Sequence, residues 1–208
     1  MFKDRVDAGI QLATTLSQYK NKEGLVILAV PRGGLPLGAV LAKNLNAKLD
    51  VVLTKKIGHP FNKEYAIGAV SLESRILTDA QAVPQHYIEE ETERIREKLK
   101  IRQEQYNRNR TPQNLKDKIV IIVDDGIATG NTIRATAQLV SGQKPEKVVV
   151  AVPIAPKSAV LKLQASPYID EVVCLLVPTN FHAVGQFYLD FDQVSDKEAI
   201  KILNAFNT

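Results

Sequence analysis

Apolar residues fall along this chain in short unbroken runs rather than in one long stripe. Leu25 to Val30, Leu49 to Leu53, Ile119 to Val123 and Val148 to Val152 are such runs, and Ile169 to Val177 is a fifth, rich in Val and Leu. They are too short for helices and too continuously apolar for strands with one wet face. They predict strands covered on both faces, as in a parallel sheet. Between them the period changes to that of a helix. Leu37, Val40, Leu41 and Leu45 share one face, Ile133, Ala137 and Val140 another, and Pro156 opens a third helix ending near Leu163. Strands alternating with helices predict an α/β fold, a parallel core sheet flanked by helices.

Residues 55 to 112 break the alternation. Ala66 to Val70 and Arg75 to Leu77 read as a hairpin around Leu72, Glu73 and Ser74. A charged helix then runs from His86 to about Arg110, with Ile88, Ile95, Leu99 and Tyr106 on one stripe. Glu89, Glu90, Glu91 and Glu93 crowd its start and Arg102, Arg108 and Arg110 its end, an order that suits the helix dipole. It is either a solvated helix packed by one stripe or a basic face for RNA. The chain reads as a single domain over 1–208, with a core of about 21–178. Residues 1–20 and 179–208 form a small hood over one edge of the sheet.

Of 208 residues, 45% are apolar and 24% charged, enough for a full core. The 27 basic and 23 acidic residues leave a net charge of +4. That excludes a polybasic nucleic-acid coat and suits a phosphate site. The single cysteine, Cys174, excludes a disulfide framework and a multi-cysteine metal centre. The first residues lack a signal-peptide core and no apolar run reaches membrane-spanning length. A cytoplasmic protein, without a membrane partner, is expected.

The chemistry gathers in Ile119 to Thr132. An apolar strand ends in Asp124 and Asp125. The loop Gly126, Ile127, Ala128, Thr129, Gly130, Asn131 follows, and a helix begins near Thr132. Ligands of parallel sheets bind at the strands' carboxyl ends. Adjacent carboxylates there accept hydrogen bonds from a diol and help hold a hard cation. Glycines let backbone wrap an anion, and the helix N-terminus adds amides and the positive end of its dipole. The combination describes a sugar-phosphate site. A Walker phosphate loop is absent, Gly33 to Gly38 has the wrong spacing for a dinucleotide fold, and the three histidines are scattered.

This string resembles the phosphoribosyl-diphosphate (PRPP) signature of type I phosphoribosyltransferases. The resemblance implies that Asp124 and Asp125 face the ribose hydroxyls and that Gly126 to Thr132 wraps the 5′-phosphate. Pro31-Arg32-Gly33-Gly34 looks like that family's diphosphate loop, which often holds a strained peptide bond; by itself it is equally a strand-to-helix turn. Lys55 and Lys56, taken to end the second strand, match a basic position that reaches the diphosphate, or are a solvated strand end. The interruption after them matches the family's mobile loop. The resemblance also implies Mg²⁺ as cofactor, touching Asp124 and Asp125 only through ribose or water, with no direct side-chain ligand assigned. PRPP and a nitrogenous base or its nucleotide are the implied partners, in a homodimer.

The whole chain is similar to a bacterial group of predicted phosphoribosyltransferases of unassigned acceptor. The matching pieces are Phe2 to Gly9, the Pro31 turn, Tyr65 to Val70 and Phe181 to Phe191. Enzymes acting on 6-oxopurines place an Asp where this chain has Ala128, which argues against those acceptors. Phe181, Val184 and Asp190 are the candidates for an acceptor pocket. The competing reading is a non-catalytic PRPP-sensing regulator that binds RNA or DNA through the long helix.

Overall fold

The structure is a computed structural model and describes residues 1–72, 74–78, 80–106 and 112–206. Strands β1 (Leu25–Ala29), β2 (Lys48–Val51), β6 (Ile119–Val123), β7 (Lys147–Ile154) and β8 (Glu171–Leu176) form one parallel sheet in the order β2-β1-β6-β7-β8. The five apolar runs are these five strands. β3 (Lys55–His59), β4 (Asn62–Val70) and β5 (Arg75–Leu77) form a separate antiparallel sheet.

Alternate residues of the large sheet feed two cores, because side chains of a strand point to opposite faces. Ile27, Ala29, Ile121, Val123 and Val149 face α1 (Arg5–Thr15), α2 (Gly34–Leu45) and α6 (Asp196–Asn204). Val26, Leu28, Val120, Ile122 and Val150 face α4 (Asn131–Ser141) and α5 (Lys157–Gln164). A third cluster joins Ile57, Ile67 and Val70 of the small sheet to Ile88, Ile95 and Leu99 of α3 (Gln85–Tyr106).

Local chemistry sets the helix ends. α1 is capped by Asp4, whose carboxylate accepts from the Asp7 amide at 2.8 Å. α2 stops where Asn46 turns left-handed, at φ 55°. Ser195 and Glu198 form a capping box at the start of α6. α3 begins at Gln85, immediately after Pro84, so Glu89 to Glu93 lie beyond its first turn. Its last turn carries no basic residue: Arg102 lies earlier, and Arg108 and Arg110 fall outside the described residues. The dipole argument for this helix therefore lapses, since the effect fades within a turn of either end. What holds α3 is its apolar stripe.

Three expectations change. The interruption after β2 is a three-stranded sheet with its own core: the expected hairpin of Ala66 to Val70 with Arg75 to Leu77 is its β4–β5 pair, and β3 stands where a loop was expected; Glu73 of the turn lies outside the described residues. Lys55 and Lys56 do not end β2. The parallel ladder closes at Val51, Val52 donates to Ala29 O at 3.1 Å, and the two lysines open β3 against Val70 and Ala69. The terminal segments cover a face of the sheet rather than an edge, because α1 and α6 both pack on α2. They are stitched together: Phe2 N donates to Phe187 O at 2.8 Å, Leu189 N to Phe2 O at 2.9 Å and Asp190 N to Lys3 O at 2.9 Å.

Candidate active site

Chain order reverses between β1 and β6. β1 continues outward to β2 on one side, and β6 leads to β7 and β8 on the other. That is the switch point of an open α/β sheet, where the loops leaving neighbouring strands diverge and open a crevice. The loop after β1 is Pro31-Arg32-Gly33-Gly34, and the loop after β6 begins at Asp124. The ladder pairs Ala29 with Val123, so both loops leave the sheet at one level.

The two loops touch. A Cβ placed on Gly33 would lie 2.0 Å from Asp125 Oδ2, and one on Gly34 would lie 2.6 Å from Val123 O. Only glycine allows this approach. The Pro31–Arg32 peptide bond is cis, in the turn whose resemblance implies an unusual bond. Arg32 holds its guanidinium 3.6 Å from Asp196 Oδ2. Asp196 in turn accepts from the Tyr106 hydroxyl at 2.7 Å, so α3, α6 and the turn meet there.

Asp124 is half-buried, and its Oδ1 accepts from the Asp125 amide at 2.9 Å. Burial pushes its carboxyl well above the ordinary carboxylate range, and the neighbouring Asp125 charge adds to that. Burial also raises Asp125, with the Arg5 guanidinium pulling the other way. Arg5 Nε donates to Asp125 Oδ2 at 2.9 Å. The Tyr188 hydroxyl donates to the Asp125 carbonyl at 2.6 Å.

The loop from Gly126 to Thr132 is pinned from below. Ile127 buries its side chain and spends its amide on Ile154 O at 2.9 Å, so that amide anchors the loop. Gly126 lies under Val184, where a Cβ would come within 2.4 Å of a Val184 methyl. Gly130 is left-handed at φ 75° and stands directly before α4, which starts without a side-chain cap. The first bond of that helix runs from Arg134 N to Gly130 O, leaving the Asn131, Thr132 and Ile133 amides ahead of it. Lys162 reaches across from α5 to Thr129 O at 3.2 Å and Asn131 Oδ1 at 3.1 Å. A helix start of this kind, with its amides ahead of the first bond, is chemically suited to an anion, and it stands beside a carboxylate pair.

The other candidates are less well gathered. Lys55 is exposed at the start of the separate sheet. Phe181 stacks on Phe187 with centroids 5.8 Å apart and packs against the α1–α2 core. Val184 stands over Gly126. Asp190 is elsewhere, on the wall of a cavity of about 570 Å³ formed with Asp4, Arg5, Pro36, Asp192 and Ile202. Neither Phe181 nor Val184 lines that cavity.

Sequence reasoning gave no role to Arg5, Tyr188, Asp196 or Lys162. For Arg5 there was a signal: a cation immediately after an N-cap Asp opposes the helix dipole. For the other three there was none, because the partners of their side-chain polar contacts lie 31 to 164 residues away.

Among the described residues no group of three or more His, Cys, Asp or Glu side chains is placed to hold a metal ion. No described helix is long and apolar enough to cross a membrane.

The phosphoribosyl transferase domain model matches residues 2–192. A Mycobacterium tuberculosis H37Rv protein named "Putative phosphoribosyl transferase" is 42% identical over 98% of this chain, and the match takes in 46% of that protein. The chain thus spans about half the length of the curated relatives it matches. The crystal structure of the TT1426 protein from Thermus thermophilus superposes with a TM-score of 0.91 at 41% identity, covering 99% of this chain and 98% of that one. The AQ2163 protein of Aquifex aeolicus shares the fold, with a TM-score of 0.52 at 17% identity over 83% of this chain and 74% of its own.

Proposed function

The chain belongs to the phosphoribosyl transferase domain family, and from that premise we propose that it transfers a 5-phosphoribosyl group between PRPP and a nitrogenous base. The observation that carries this reading is the contact of Gly33 with the Asp125 carboxylate at the switch point. It sets an anion-facing turn beside a diol-accepting pair, with an uncapped helix start beyond.

In this reading the Asp124 and Asp125 carboxylates accept from the ribose hydroxyls. The amides at the start of α4 hold the 5′-phosphate, with the Thr129 and Thr132 hydroxyls beside them. Arg32 and the Gly33 backbone hold the diphosphate. A base nitrogen forms a bond to C1′ as the bond from C1′ to the diphosphate oxygen breaks, and the electron pair leaves with diphosphate. Positive charge builds on the ribose ring beside the two carboxylates, so catalysis is mostly positioning and electrostatics. The proton on the base nitrogen passes to the departing diphosphate, so no general base is needed at Ala128. The diphosphate role that the resemblance implies for Lys55 and Lys56, which open β3, belongs to the same proposal.

Mg²⁺ is the proposed cofactor. The donor set suits it: two adjacent half-buried carboxylates, with Arg5 engaged on only one oxygen. Asp124 and Asp125 would hold it through ribose or water, and when bound it neutralises the leaving diphosphate. A homodimer and a cytoplasmic location belong to the same proposal and rest on resemblance.

The regulator reading draws less support. On α3, Arg94 pairs with Glu91 and Arg96 with Glu93, so these two basic side chains are engaged within their own helix. The test is diphosphate release from PRPP and Mg²⁺ against a panel of bases. Release that depends on one base establishes the transfer and names its acceptor. PRPP binding with no release for any base, and nucleic-acid affinity falling steeply with salt, would favour the regulator.

A further inference from the structure

Arg5 is in the wrong place for a surface cation. It occupies the first turn of α1, immediately after the Asp4 cap, where the dipole disfavours positive charge. Its side chain is only 12% exposed. A buried guanidinium persists only where its donors are used, and here they are. Nε donates to Asp125 Oδ2 at 2.9 Å and Nη1 to Asp192 O at 2.6 Å. The guanidinium carbon lies 3.9 Å from the Phe191 ring centroid. The support continues outward, because Tyr188 stacks on Phe191 at 4.8 Å while its hydroxyl holds the Asp125 carbonyl.

We propose that Arg5 is a positioning residue: it fixes the rotamer of Asp125, so that Oδ1 and the Asp124 carboxylate stay available to a ribose diol. This inference rests on the PRPP reading. Three parts of the chain close on Asp125 and the guanidinium that holds it: α1 through Arg5, the 188–192 segment through Tyr188 on the Asp125 carbonyl and through Phe191 and Asp192 on Arg5, and the Pro31 turn through Gly33. The hood thereby becomes part of the ribose site, although on this account it touches no ribose atom. Lysine cannot replace arginine fully, because one ammonium cannot present two fixed donors and a stacking plane together.

The test compares PRPP affinity by isothermal titration, with Mg²⁺, in wild type, Arg5→Met, Arg5→Lys, Asp125→Asn and Arg5→Met/Asp125→Asn. Inorganic phosphate is the control ligand. Arg5→Met is expected to weaken PRPP about 10- to 100-fold, the worth of a charge-assisted bond, and to leave phosphate affinity unchanged. Arg5→Lys recovers part of the loss. In the Asp125→Asn background Arg5→Met adds nothing, because the two act as one unit.

Unchanged PRPP affinity in Arg5→Met overturns the inference. So does an additive loss in the double variant, or a parallel loss of phosphate affinity, which marks general collapse of the hood. If Arg5→Met does not fold, Phe191→Leu keeps the charge and removes the stacking plane. PRPP then weakens several-fold, and an unchanged affinity overturns the inference. A wild type that binds no PRPP overturns the substrate reading itself, an outcome distinct from all of these.

Discussion

Replacing Gly33 with alanine sets two effects of opposite sign against each other. The backbone of Gly33 is ordinary, with φ −60° and ψ −33°. Alanine adopts it freely, and the reduced entropy of the unfolded chain should then stabilise by about 0.4–1 kcal/mol. The new Cβ, however, would lie 2.0 Å from Asp125 Oδ2 and 2.5 Å from its Cγ. Contacts under 3.0 Å are not tolerated, so the carboxylate must retreat by at least 3.0 − 2.0 = 1.0 Å. It has nowhere to go with its partner. Arg5 is braced by the Phe191 ring and the Asp192 carbonyl, so Asp125 leaves the ion pair. Losing that charge-assisted bond costs about 1.5–3 kcal/mol, and the net effect is a loss of about 1–2 kcal/mol.

For a domain of this size that lowers Tm by roughly 2–8 °C. The effect on function is larger, because both the diphosphate turn and the ribose carboxylate are displaced: kcat/KM falls about 100-fold or more. Gly34→Ala inverts the proportion. Its Cβ would meet the Val123 carbonyl at 2.6 Å, a backbone atom inside the sheet that cannot swing aside, so stability suffers first, by ~3 kcal/mol. Thermal melts and PRPP titration on the two variants check this. A Gly33→Ala protein as stable as wild type, with undiminished PRPP affinity, would refute the claim that Asp125 is pinned between Gly33 and Arg5.

Three further outcomes are expected. Asp124→Asn should raise the stability of the ligand-free, divalent-free protein at neutral pH by ~1–3 kcal/mol, because it removes a half-buried charge, while weakening PRPP. The folded state raises this carboxyl above its ordinary value of 3.8. Its contribution is therefore fully present below about 3.8 and lost as pH rises through the folded value. Urea titrations should accordingly show the gap between variant and wild type closing below pH ~4. Tyr188→Phe removes the bond to the Asp125 carbonyl from a buried ring and should cost ~1 kcal/mol, read as a lower urea midpoint at unchanged m. Gly126→Ala drives a Cβ to 2.4 Å from the Val184 methyl and should weaken phosphate binding. Adding Val184→Ala should restore part of it, and failure to restore any would show that the 2.8 Å contact with Ile154 dominates.

The parallel sheet was legible because five runs such as Ile119 to Val123 are apolar on both faces, and only doubly covered strands have that composition. The carboxylate pair and its glycine loop were legible because the whole arrangement is local: strand end, acids, loop and helix start within 14 residues. β3 was not, since Lys55, Lys56, Gly58 and His59 leave Ile57 as its one fully buried apolar side chain, and two registers shift within it. The hood's part in the site was equally hidden. Arg5 and Asp125 stand 120 residues apart, and no periodicity links them. Phe181, Val184 and Asp190 are neighbours in sequence, yet of the three only Asp190 lines the cavity beside Asp4 and Arg5.

The central claim is that the crevice between β1 and β6 binds PRPP through Asp124 and Asp125. Its most direct test is isothermal titration of PRPP with Mg²⁺ into the wild type and into Asp124→Asn/Asp125→Asn. The account predicts saturable binding in the wild type, weakened about 100-fold or more in the variant while that variant still melts cooperatively. Equal binding by the two proteins, or none by the wild type, would contradict it.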